Sequence, residues 1–136
     1  MKVKEIRKSF VFQLYSNIVQ RTPVDTGRAR GNWLVSILKP DTSISENTKV
    51  RYTNKKDLPN AEKDETFFIS NNLPYIGSLE YGTYPDPVKK GSWDKKKKKY
   101  VVKSKDGFSK QAPHGMVGIT VANSKRYLEI AQKENE

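Results

Sequence analysis

Lysine is unevenly placed in this chain, and the unevenness limits which residues can build a core. Residues 86–110 hold ten lysines, five of them consecutive (Lys95, Lys96, Lys97, Lys98 and Lys99), against three acids, Asp86, Asp94 and Asp106. Their balance is 10 − 3 = +7, so of the formal charge of +11 only +4 belongs to the other 111 residues. An ammonium group leaves water only at high cost unless it is paired. The block is therefore expected to meet a neighbouring chain or nucleic acid, and not the core of its own domain. A nucleic-acid binder that is cationic throughout would distribute its charge differently.

The remainder suits a single domain. At 136 residues the chain has the length of one folding unit. Its apolar share of 35% is low for a self-sufficient globule. That implies long polar loops, or a subunit completed by its neighbours. The chain has no cysteine, which excludes disulfide frameworks, thiolate metal sites and thiol nucleophiles. No apolar run approaches the ~20 residues needed to span a bilayer. The first residues, Met1-Lys2-Val3-Lys4-Glu5-Ile6, alternate charge with apolar side chains and contain no secretory core. The expectation is a soluble protein made in a cytoplasm, without a membrane partner.

Periodicity predicts the elements. Val3, Ile6, Phe10, Leu14 and Ile18 form an apolar stripe at three- and four-residue steps, predicting a helix over 3–20 that Pro23 ends. Residues 22–32 read as a turn-rich connector. Trp33 to Leu38 reads as a strand, apolar on both faces and hence central in its sheet. Alternation over Thr48–Thr53 predicts a half-exposed strand, 54–64 a polar loop, and Thr66–Ser70 a third strand. Pro74 opens a short helix that Gly82 stops. Tyr100-Val101-Val102 suits a short strand, and Asp106-Gly107 a hairpin turn. Val117, Val121, Ser124, Leu128 and Ala131 predict one continuous helical seam near the end.

No grouping for bond-making chemistry is visible. His114 is the lone histidine, so a triad or a multi-histidine metal site lacks partners. Asp57, Glu62, Asp64 and Glu65 cluster in a polar loop without the rigid frame that a divalent metal needs. Gly27-Arg28-Ala29-Arg30-Gly31 lacks the lysine and hydroxyl of a phosphate-binding loop. If that segment is extended, Arg28 and Arg30 share a face and can clamp phosphates or carboxylates. The alternative is two solvated arginines where the strand begins. The lysine run, flanked by Trp93, Tyr100 and Phe108, offers sequence-independent phosphate affinity and stacking surfaces. Its alternative is a solvated loop.

Three segments, taken in order, carry a resemblance. They are Thr22-Pro23-Val24-Asp25-Thr26-Gly27-Arg28-Ala29-Arg30-Gly31-Asn32-Trp33, Leu73-Pro74-Tyr75-Ile76-Gly77-Ser78-Leu79-Glu80-Tyr81-Gly82, and Ser109-Lys110-Gln111-Ala112-Pro113-His114-Gly115-Met116-Val117. Together they resemble the neck or tail-completion proteins of tailed bacteriophages, also described as head–tail joining or minor tail components. The motif positions are Asp25, Thr26, Gly27, Trp33, Tyr75, Glu80, Gly82, Pro113, Gly115 and Met116. The resemblance implies one α+β domain over 1–136, with N- and C-terminal helices packed on one face of a small, mainly antiparallel sheet. It implies a homo-oligomeric ring in the virion, between the portal or adaptor and the tail, near the path of the packaged DNA. It implies no enzyme activity and no cofactor. In that family the Glu-Tyr-Gly segment runs almost directly into Ser-Lys-Gln-Ala-Pro. Here the lysine-rich stretch intervenes as a basic loop or hairpin at about 86–110, to which no family role carries over. The competing reading is a sequence-independent nucleic-acid-binding protein that uses this stretch.

Overall fold

The structure, a computed structural model, describes residues 3–24, 27–61, 65–82, 92–94, 96–101, 104–105, 108–109 and 111–136. The first helix, α1, is Val3–Arg21. It ends as expected before Pro23, where the Thr22 N–H closes a last turn on the Val19 carbonyl at 3.0 Å. Its buried face is not the expected stripe. Ser9, Val11, Tyr15, Ile18 and Val19 are buried, whereas Val3 is 55% exposed and Ile6, Phe10 and Leu14 are half-buried. Apolar residues lie all around α1, so periodicity alone could not choose the face. The choice falls on the side where the Ser9 hydroxyl accepts from Lys55 Nζ (3.1 Å) and Asn135 Nδ2 (2.9 Å).

The connector after α1 holds a four-residue helix, α2, Arg28–Gly31. It leads into β1, Leu34–Ile37, which pairs antiparallel with β2, Phe67–Ser70, with Val35 opposite Ile69 and Ile37 opposite Phe67. The expected central placement of β1 is corrected: among the described residues this sheet has two strands. On the open edge the Tyr52 hydroxyl donates to the Val35 carbonyl and accepts from the Val35 N–H, both at 3.2 Å. One side chain thus satisfies backbone groups that a third strand would have paired. Residues 48–53 accordingly form irregular chain and not the expected strand. Leu34, on the far face, is still only 2% exposed. Across that face Ser70 Oγ donates to the Asp41 carbonyl, and Asn72 Nδ2 to the Asp41 and Ser43 carbonyls.

The expected polar loop after Tyr52 contains a 3-10 turn, Lys55–Asp57, closed by a capping box between Asn54 and Asp57. Helix α3, Ile76–Tyr81, stops at Gly82 as expected. The lysine-rich stretch contributes β3, Ser92–Asp94, paired antiparallel with β4, Lys99–Val101. It also contributes β5, Ser104–Lys105, paired with β6, Phe108–Ser109. Asp106-Gly107, the expected turn, lies outside the described residues.

The expected last helix is two, α4, Val117–Ala122, and α5, Ser124–Glu134, with a break at Asn123. The buried positions are Thr120, Tyr127 and Ala131, seven and four residues apart and so on one helical face beside the expected seam, while Val121 and Leu128 face outward. Helix α5 runs antiparallel to α1: Asn135 meets Ser9, Gln13 meets Glu134, and Arg21 meets Thr120. The core joins Val11, Tyr15 and Ile18 of α1 to Trp33, Val35, Leu58, Leu73, Leu79, Ala112 and Met116, with Phe67 and Ile69 of β2 packed against it. The architecture is α+β, with helices from both ends of the chain on a small antiparallel sheet. Among the described residues, no helix is long and apolar enough to cross a membrane.

Candidate functional site

The first motif segment is the hinge between α1 and β1. Thr22, 1% exposed, donates its hydroxyl hydrogen to the Ile18 carbonyl (2.7 Å) and accepts from Trp33 Nε1 (2.9 Å). Arg30 Nε donates to the Thr22 carbonyl (2.7 Å) and its Nη2 to the Gln20 carbonyl (3.0 Å). A cation therefore sits on the last carbonyls of α1, which have no partners within the helix and carry its negative dipole end. Asn32 holds the loop that follows: its Nδ2 donates to the Arg28 and Ser45 carbonyls, and its Oδ1 accepts from the Ser45 N–H at 2.7 Å. Gly27, with φ of 75°, leads into α2. Asp25 and Thr26 lie outside the described residues.

The extended clamp expected of Arg28 and Arg30 does not form. In α2 a two-residue step turns the direction by about 200°, so the two arginines leave opposite sides. Arg28 pairs instead with Glu46 at 3.1 Å, where Glu46 is 90% exposed. An exposed pair of this kind contributes about 0–1 kcal/mol.

The second and third segments meet in one joint. The carboxylate of Glu80 in α3 accepts three backbone hydrogens at the start of α4. Met116 N–H (2.9 Å) and Val117 N–H (2.7 Å) reach Oε1, and Gly118 N–H (2.9 Å) reaches Oε2. These first N–H groups have no partners inside α4, and a carboxylate complements the positive end of the helix. Gly115, with φ of 75°, lets the chains approach: a Cβ there would lie 2.5 Å from the Glu80 carbonyl oxygen. Gly82, with φ of 68°, does the same for the Phe108 ring, which a Cβ would meet at 2.4 Å. Met116 is fully buried, Tyr75 caps α3 and packs on the core, and Pro113 is exposed. The first segment joins the same assembly, because Gln111 Oε1 accepts from the Val24 N–H at 2.8 Å and Arg21 Nη1 donates to Thr120 Oγ1 at 2.7 Å.

Sequence reasoning marked Glu80 as a motif position without its role, since its partners lie 36 residues and more away. Thr22, Asn32 and Gln111 fell inside the motif segments but were not singled out, since no local pattern distinguishes them from surface polar residues. His114 is exposed in the turn before α4. Among the described residues no three histidine, aspartate or glutamate side chains group as metal ligands. The groups with displaced acidities serve structure. Burial raises the phenol of Tyr15, and hydrogen bonds from Thr53 and Asn54 lower the carboxyl of Asp57. Asp41 is lowered chiefly by the Ser43 hydroxyl and N–H.

Of the lysine run, Lys96, Lys97 and Lys98 form the exposed turn between β3 and β4, Lys99 begins β4, and Lys95 lies outside the described residues. Register sets Trp93 opposite Tyr100 and Asp94 opposite Lys99. The Phe108 ring of β6 lies against Gly82 at the end of α3. Comparison with protein-family models, with curated proteins and with solved structures returned no match to this chain.

Proposed function

We propose that this chain is a structural, non-catalytic subunit of a tailed-bacteriophage virion, forming a ring at the head–tail junction between the portal or adaptor and the tail. The observation that carries the reading is the meeting of all three motif segments at one joint. There Glu80 caps α4 across the core, while Gln111 and Arg21 tie in the hinge after α1. A resemblance distributed along the chain thus corresponds to one physical unit.

Two further features support an assembly role. Among the described motif side chains, Glu80 holds backbone N–H groups and Trp33 and Met116 lie in the core. The low apolar share, with Val121, Leu128 and Tyr81 outward-facing, suits a subunit whose burial is completed by copies of itself in a closed ring. Electron microscopy of purified particles, with the chain labelled, should place it at the junction of head and tail. Absence of the chain from purified virions would overturn the reading.

A further inference from the structure

We infer that the β3–β4 hairpin is an arm that holds the backbone of duplex nucleic acid without reading its sequence. The inference rests on the arm's own composition and geometry, and not on the virion reading. Every cation in 86–110 is lysine, although the chain has arginines elsewhere at 7, 21, 28, 30, 51 and 126. Lysine is a compact, mobile point charge, whereas arginine brings the planar fork that recognises carboxylates bidentately. Protein interfaces are depleted in lysine and enriched in arginine. Five consecutive lysines therefore suit a line of phosphates better than an acidic protein surface.

Backbone geometry supplies a second, independent observation. Lys98 closes the turn with φ of 52°. In that left-handed region glycine is unstrained, and asparagine or aspartate is the usual substitute. A position where folding favours glycine thus carries a positive charge at the exposed tip. Just behind the tip, Trp93 and Tyr100 are cross-strand partners. The three lysines of the turn, Lys96, Lys97 and Lys98, are all exposed.

The test uses the full chain and a fluorescent 30-base-pair duplex of mixed sequence (about three turns), with anisotropy read between 50 and 200 mM salt. The expected result is binding that weakens steeply with salt, at a slope of about −0.9 for each phosphate neutralised. The triple substitution Lys96→Gln, Lys97→Gln and Lys98→Gln should flatten that slope by about two to three and weaken binding at low salt by tenfold or more. Lys98→Gly relieves the backbone, so it should keep the thermal midpoint while lowering affinity. A matched control, Lys125→Gln, Arg126→Gln and Lys133→Gln on α5, should leave the slope near that of the parent chain. Undetectable binding at 50 mM salt, an unchanged slope in the arm variant, or an equal loss in the α5 control overturns the inference. So does tight binding to polyglutamate without binding to the duplex, which would assign the arm to an acidic protein. Particle imaging answers separately, so either proposal can fail while the other stands.

Discussion

Gly115 and Gly77 make opposite demands on the same substitution. At Gly115 the backbone has φ of 75°, and a Cβ would press on the Glu80 carbonyl oxygen. Gly115→Ala should therefore destabilise the chain by about 2–3 kcal/mol, combining left-handed strain with displacement of the joint. Gly77 lies inside α3, and a methyl group added there would meet nothing within 4 Å. Gly77→Ala should stabilise by about 0.5–1 kcal/mol, because alanine has less unfolded-state entropy to lose. Urea unfolding of both variants checks the pair, and equal signs would contradict the geometry. Tyr15 allows a second test. Its phenol is held above the ordinary value of about 10 by burial. The folded chain then keeps a proton that the unfolded chain releases, so stability falls as pH rises. The contribution is whole below about pH 10 and is lost as pH climbs from there through the folded pKa, by at most about 1.4 kcal/mol per unit. Against Tyr15→Phe, the parent should hold a constant stability difference up to about pH 10 and then lose ground. Parallel curves through pH 11 would show that burial does not hold the proton.

Among the elements, α4 depends most on a residue outside itself. It has six residues, too few to be stable alone, and its N–H groups end on a carboxylate from α3. Glu80→Ala removes three charge-assisted hydrogen bonds and should cost about 2–3 kcal/mol, and Glu80→Gln, which keeps one carbonyl oxygen, about 1–2. The measurement is the urea midpoint at constant slope; shifts below about 0.5 kcal/mol for both would mean the cap holds nothing. Helix ends were readable in the sequence because their causes are local: Pro23 stops α1 and Gly82 stops α3. Buried faces were not. Apolar residues surround α1, and in α4 and α5 the buried face, Thr120, Tyr127 and Ala131, includes polar side chains that a search for apolar spacing passes by. The alternation at 48–53 suggested a strand, but the Tyr52 hydroxyl occupies the β1 edge by itself. The Glu80 cap was illegible for a different reason, since no short-range pattern encodes a partner beyond the lysine-rich stretch.

At the scale of the whole chain, the end of the lysine-rich stretch meets the domain where Phe108 packs against Gly82. Composition set this stretch apart, with +7 in 25 residues, yet its last strand contains a buried residue, Ser109. Two contacts became visible only in three dimensions, Gly82 against Phe108 and Glu80 across to α4. Replacing 84–106 by a short Gly-Ser linker removes nine lysines and three aspartates, so the charge falls from +11 by 9 − 3 = 6 to +5. Among the described residues, the core lies outside that range. Closing a shorter loop loses less entropy, by about 0.6 kcal/mol per halving of its length. Self-repulsion in the folded state also falls. The deletion variant should unfold in one cooperative step, with stability equal to the parent or higher by about 1 kcal/mol. In the same preparation it should have lost salt-dependent duplex binding. A variant that folds and still binds with the parent's salt slope would move the binding surface onto the domain. One that no longer folds cooperatively would make the lysine-rich stretch part of the core-forming unit.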